Sequence, residues 1–433
     1  MSQYEYVMSG LGYTRLNANR INLGNTERML EVVNHAFSLI DGFDYSGLFN
    51  AYTERSIAES GRFKHIPFKE MHVDSGGLQM ALFGKTITED IKNQIYQTQG
   101  KFGSVAMCFD NIPLYTEQIE GAGTSQRTRI DNKIFLTTEM KDRAIDTGRN
   151  VNNQLRAFKE MGSDCKVMMI AQGNQSQDFA DFIRYQFDEI DDELKDGIHG
   201  IAVADTCIGN GILESIEMLS GFNLIDIPEQ YKKNLHLLGV GSISRLMPVI
   251  ELQRSGYLSE STHISFDSTT HSSSFIMGKM WDETGNFEKI GSVASNENLL
   301  LFEFIYKKYF EKFYDVPCDT FVTHVAKNLK GSKHLEDLSD LGEMRYLIQY
   351  IHSHECVIRF MDSVNRCVKS QNEYFKLISN QLMINCMIQL SKVEDQDDMN
   401  EYLKKFKPII DSKRIARGSS IEEMKSATLD EFF

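Results

Sequence analysis

The sequence predicts a (β/α)8 barrel with a C-terminal helical appendage, and three observations lead there. Short, nearly continuous apolar runs recur along the chain and each finishes on a polar or glycine-containing turn, as parallel strands covered on both faces do. Helix-compatible stretches separate them, so that strand ends recur at roughly thirty to forty residues from Asp74 to Asp267. No glycine-rich phosphate loop follows the first strand, which ranks an open doubly wound sheet below the barrel.

In order, apolar runs at 4–8 and 43–49 flank a helical pattern over 26–40, with Leu30, Val33, Ala36 and Ile40 on one face. These form the opening βα portion. Strand candidates follow at Met71-His-Val-Asp74, Val105-Ala-Met-Cys-Phe-Asp110, Lys166-Val-Met-Met-Ile-Ala-Gln172, Gly200-Ile-Ala-Val-Ala-Asp205, Leu235-His-Leu-Leu-Gly-Val-Gly241 and His263-Ile-Ser-Phe-Asp267. Helices are expected between them at 89–99, 133–161, 177–194, 212–221 and 244–256, with a double-length gap between Asp110 and Gln172. From 297 the pattern turns helical, at 298–313 and 341–393. The chain therefore divides into a barrel over 1–296, a helical appendage with a basic patch over 297–417, and an acidic tail over 418–433 that is expected to be disordered.

With 433 residues, 41% of them hydrophobic, the chain can bury a substantial core. It has no apolar run of membrane-spanning length, and Met-Ser-Gln-Tyr-Glu-Tyr lacks the regions of a signal peptide, so a cytoplasmic protein with no membrane partner is expected. Seven scattered cysteines fit free thiols in a reducing compartment. A net charge of −15 excludes nucleic-acid binding over the whole surface and confines it to a local basic patch. The candidates are Lys404, Lys405, Lys407, Lys413, Arg414 and Arg417, helped by Arg127 and Arg129 beside the Gly121-Ala-Gly-Thr loop; a solvated helix face is the plain alternative.

Among the strand ends, Asp74, Asp110 and Asp267 supply three carboxylates and Gln172 an amide. In a barrel they converge at one mouth, where crowding and burial separate carboxylate pKa values and so allow nucleophile and acid/base roles. Any single Asp after a strand is more often a turn or helix-cap residue.

The motifs Asp74-Ser-Gly-Gly-Leu-Gln79, Cys108-Phe-Asp110, Ala171-Gln-Gly173, Gly200-Ile-Ala-Val, Leu237-Leu-Gly-Val-Gly241 and Phe266-Asp267 occur in the order and approximate spacing of the tRNA-guanine transglycosylase family, which the chain resembles over about residues 70–275. The resemblance implies a (β/α)8 barrel that exchanges guanine in nucleic acid for a 7-deazaguanine through a covalent intermediate, with no cofactor required for the chemistry. By position, Asp267 matches the nucleophile and Asp74 the general acid/base. Asp110, Gln172 and the Gly200 backbone match base contacts, Ser75 and Gly173 belong to the same base-binding motifs, and Leu78 and Leu238 match the positions that sandwich the purine. Ordinary core is the alternative for the two leucines.

Two departures matter. Phe313-Tyr-Asp-Val-Pro-Cys318 keeps only one cysteine of the family's zinc site, leaving Cys318, His352 and Cys356 as candidate ligands of a rebuilt structural zinc or as plain buried thiols and a core histidine. After Asp267, where the family has an arginine-bearing segment for RNA, stands Ser268-Thr-Thr-His-Ser-Ser-Ser274. The combination looks like the DNA-directed 7-deazaguanine transglycosylases of phages and bacterial modification islands, which implies DNA and a 7-deazaguanine base as partners and protection from restriction. A divergent tRNA enzyme and a non-catalytic nucleic-acid-binding barrel subunit are the competing readings. The ending Leu429-Asp-Glu-Phe432-Phe433 resembles a sliding-clamp docking peptide, with a frayed tail as the alternative.

Overall fold

The computed structural model describes residues 4–10, 26–39, 45–59, 68–77, 80, 86–112, 114–118, 126–130, 138–173, 175–204, 212–269, 271, 279–281, 287–289, 296–328, 340–377 and 381–415. Leu78, Arg417, the 121–124 loop and the 418–433 tail lie outside them.

Eight parallel strands close into a barrel. They are β1 (Tyr4–Met8), β2 (Ser46–Asn50), β3 (Met71–Asp74) and β4 (Val105–Met107), then, after a hairpin of β5 (Leu114–Gln118) and β6 (Gln126–Ile130), β7 (Lys166–Ala171), β8 (Ile198–Val203), β9 (Asn234–Leu237) and β10 (His263–Ser268). A second hairpin, β11 (Lys279–Trp281) with β12 (Phe287–Lys289), follows β10. The barrel closes where β1 pairs with β10, Val7 opposite Asp267. The double-length gap after Asp110 is filled by the β5–β6 hairpin and by the long helix Thr138–Met161. In chain order the two hairpins follow barrel strands β4 and β10.

Local chemistry explains the elements. The helix Glu89–Phe102 starts where the Thr88 hydroxyl accepts the Ile91 N–H at 3.3 Å and carries Glu89 and Asp90 against the positive end of its dipole. The helix Ile243–Ser255 stops at Gly256, which takes the left-handed φ of 88°. Strands β7 and β8 are apolar almost throughout and buried on both faces, between the barrel interior and the surrounding helices.

The helical region is not a separately cored unit. Helix Asp340–Lys369 packs on β1, and its Phe360 meets Tyr6 and Phe266 with ring centroids 5.8 and 6.0 Å apart. The barrel's own hydrophobic core continues through Val364, Tyr374, Met387 and Tyr402. A boundary at 296 therefore marks a change of pattern and not a division between cores. The first helix, Thr26–Leu39, buries Val33 and Ala36 as its periodicity predicts, in a second cluster with Phe302, Phe310 and Leu347.

Gly200 shows how tightly the wall is built. It lies on β8 level with Met168, and a Cβ there would stand 2.2 Å from the backbone oxygen of Asn234 on β9. Gly200→Ala should lower unfolding stability by about 1–3 kcal/mol, since the close atom is backbone and cannot swing aside; a denaturant midpoint unchanged from wild type would show that β9 yields.

Candidate active site at the barrel mouth

Asp74 is the last residue of β3 and half-buried. Its Oδ2 accepts the Nδ2 of Asn50, the last residue of β2, at 3.0 Å. The Asn50 Oδ1 accepts the backbone N–H groups of Tyr52 and Thr53 at 3.0 and 2.9 Å, which fixes the amide orientation and leaves Nδ2 to face Asp74. Gly76 follows with φ 78°, and a Cβ on it would lie 2.6 Å from the Asn50 Oδ1. Only glycine suits both that angle and that approach. Burial, reinforced by the charge of Asp267, raises the Asp74 carboxyl to about 6.

Asp110 follows β4 and Gln172 follows β7, both buried, with the Gln172 Nε2 donating to the Asp110 Oδ2 at 2.6 Å. Burial raises Asp110 to about 7; the Gln172 hydrogen bond works against this and the Asp74 charge adds to it. A cavity of about 590 Å³ opens beside Asp110, lined among others by Gly77, Lys92, Phe109, Asn111 and Asn150. The Lys92 ammonium is engaged by Glu89 at 2.9 Å and Asn150 at 3.1 Å.

Asp267 is buried near the end of β10. Its Oδ1 accepts the Gly239 N–H at 3.1 Å and lies 3.3 Å from the Nε2 of His236, whose Nδ1 is 2.8 Å from the Ser265 hydroxyl. Below this, His236 meets His72 with ring centroids 5.8 Å apart. Burial, with His236 next, lowers His72 to about 3, so His72 is neutral. Deeper still, Glu5 is held by Ser46, by His263 at 3.0 Å and by Lys69 at 3.4 Å. Burial works to raise Glu5, but these partners outweigh it and hold the carboxyl at about 2. The barrel's inner face is thus a polar column that ends in Asp267 at the mouth.

The structure brings Asp74, Asp110, Gln172 and Asp267 together, as the strand ends predicted. Ser75 is buried beside them, its hydroxyl accepting the Gly77 N–H at 3.3 Å in the turn. Leu238 is half-buried just past β9 and packs against the barrel's hydrophobic core. Gly173 is a packing glycine, since a Cβ would lie 2.7 Å from the backbone nitrogen of Phe179. Gly200 is not at the mouth: it is in register with Met168, four residues short of Gln172, about 13 Å at the usual strand rise. Ala204, the residue just past β8, stands beside Gln172, its N–H reaching the Ala171 carbonyl at 3.4 Å.

Other predicted groups are dispersed. Lys404 and Lys405 are exposed on the helix Gln396–Ile415, which also carries the backbone of Lys407, Lys413 and Arg414; Arg127 and Arg129 stand opposite Glu117 and Tyr115 in the β5–β6 hairpin. Among the described residues no three histidine, cysteine or acidic side chains form a metal-binding group. His352 and Cys356 lie 3.4 Å apart on one helix, whereas Cys318 opens another, so the three zinc candidates do not converge. The loop after Asp267 is partly tied down: the Tyr6 hydroxyl donates to the Ser268 carbonyl at 2.8 Å and meets the Nδ1 of buried His271 at 2.5 Å.

Asn50, His72, His236 and Ser265 were not singled out from the sequence. Asn50 ends an apolar run, as the carboxylates do; the other three are single polar residues inside otherwise apolar runs. No protein-family model matches the chain, and no curated protein matches it. No helix among the described residues is long and apolar enough to cross a membrane.

Asp74 and Asp110 hold protons more tightly in the folded chain than an unfolded aspartate does, near 3.9. The stabilisation from this is full below about pH 4 and is lost as pH rises through about 6 and 7. Titration of 13C-labelled aspartates should give midpoints near those values, and Asp267→Asn should lower that of Asp74 by removing a neighbouring charge. An unmoved Asp74 midpoint would place the two carboxylates out of electrostatic reach.

Proposed function

We propose that the protein is a guanine transglycosylase that replaces guanine in DNA with a 7-deazaguanine, 7-cyano-7-deazaguanine being the base expected, through a covalent bond between Asp267 and the sugar. The observation that carries this reading is the pairing of two carboxylates at one mouth: burial, with the charge of Asp267 next, raises Asp74 toward neutrality, while Asp267 is held by a backbone N–H and an imidazole.

An Asp267 oxygen attacks C1′ of the target nucleoside as the C1′–N9 bond breaks, and the departing guanine takes a proton from Asp74. The incoming base then gives its N9 proton to Asp74 and attacks C1′, and the Asp267 carboxylate leaves. Two inversions retain the sugar configuration, and the difficult displacement becomes two easier ones. Asp110 and Gln172 supply the edge a guanine needs: the N1–H and N2–H donors favour the ionised form of Asp110, which accepts them, while an amide N–H donates to O6. A target base must leave the stack to reach this depth.

DNA is preferred over tRNA because the loop after Asp267 offers serine and threonine where an RNA-reading arginine segment is expected, and part of it is anchored on Tyr6. The hairpin carrying Arg127 and Arg129 and the helix carrying Lys404 and Lys405 are the candidate phosphate contacts. The 426–433 segment is the candidate clamp-docking peptide, and its deletion should abolish clamp binding in a pull-down.

Incubation with labelled guanine or 7-cyano-7-deazaguanine should label duplex or single-stranded DNA; label entering tRNA alone overturns the choice of substrate. Asp267→Asn should abolish covalent trapping. Asp74→Asn should slow single-turnover adduct formation about 10²–10⁴-fold and spare base binding. Because the acid must be protonated, adduct formation should fall tenfold per pH unit above about 6, a limb that Asp74→Asn removes.

A further inference from the structure

We propose that His236, oriented by Ser265, is a positioning residue that fixes which oxygen of Asp267 reacts and stabilises that carboxylate when it leaves; the assignment rests on the exchange reading above. His236 and Ser265 lie directly opposite each other across β9 and β10, and Asp267 is two residues beyond Ser265, on the same inner face. This register sets the Ser265 hydroxyl at the imidazole Nδ1 and the Asp267 Oδ1 at Nε2. A carboxylate only accepts, so Nε2 carries a proton, and the Ser265 hydroxyl donates to the bare Nδ1. Full burial of His236 and its contact with His72 keep the ring from turning.

The Asp267 Oδ1 therefore receives two donors, His236 Nε2–H at 3.3 Å and Gly239 N–H at 3.1 Å, the latter aimed by a left-handed φ of 75° at Gly239. Among the described residues Oδ2 receives none and is the oxygen that bonds to C1′. In the ester, Oδ1 becomes the carbonyl oxygen. When the incoming base displaces Asp267, the C1′–Oδ2 electron pair returns to the carboxylate and charge grows on Oδ1, where the two donors stabilise it. The imidazole touches the nucleophile and no part of the substrate. Its effect should appear in the second half-reaction and leave base affinity in place.

The test has two arms. In the first, preformed adduct is chased with 7-deazaguanine. His236→Phe paired with Ser265→Ala, which avoids a stranded hydroxyl, should slow adduct release 10- to 100-fold with KM for the base unchanged within about threefold. His236→Gln, whose amide N–H replaces Nε2–H, should recover much of the rate. Release at the wild-type rate in the Phe variant, or equal loss in the Gln variant, overturns the proposal. The second arm needs no activity and is read on wild type by 15N chemical shifts of labelled histidine, assigned with His236→Gln. A protonated Nε2 that moves in Asp267→Asn supports the assignment, and a bare Nε2 overturns it. Wild-type protein that labels neither DNA nor tRNA while showing the protonated Nε2 removes the exchange reading and leaves the orientation of Asp267 standing.

Discussion

Three carboxylates converge on one partly dry barrel mouth, and the rest of the site answers the electrostatic problem this creates. Like charges at low dielectric cannot all persist, so the protein spreads their proton affinities and assigns each carboxylate its own donors. Asp74 receives the Asn50 amide, Asp110 receives Gln172, and Asp267 receives Gly239 and His236. Asn50 and Asp74 end the neighbouring strands β2 and β3, and Gln172 reaches Asp110 from β7 beside β4. No single strand or loop could assemble the set; the closed barrel does.

Beneath the mouth the polar groups of the lower barrel are tied to one another. Glu5 is fully engaged by Ser46, His263 and Lys69, and His72 stays neutral beneath His236. Backbone shape does as much as hydrogen bonding. Gly76 and Gly239 both take positive φ, one to bring the Asp74 turn against Asn50 and the other to aim an N–H at Asp267. Gly200, deeper in the wall, lets β8 approach the Asn234 backbone of β9 more closely than a side chain would allow.

Around the outside, residues beyond 296 complete the wall. Phe360 seals Tyr6 and Phe266, and Tyr6 in turn fastens Ser268 and His271 just past Asp267. The helical region thus supports the loop that follows the candidate nucleophile, a link that a division at 296 would miss.

The barrel and its polar strand ends are legible in local pattern alone. Apolar runs that finish on Asp74, Asp110, Gln172 and Asp267 announce parallel strands with polar termini, because period and punctuation are local properties of the chain. The inner column was not legible in that way. His72, His236 and Ser265 are single polar residues inside apolar strands, and alternation alone cannot say whether such a residue faces a helix, a dry core or another polar group. Nor could motif order reveal that Gly200 stops short of the mouth or that Cys318 stands apart from His352 and Cys356, since both depend on the register and packing of distant segments. Only the tertiary structure decided that the carboxylates share one electrostatic field and that Asp267 is held at one oxygen, because those facts exist only once β9 lies beside β10 and the barrel has closed.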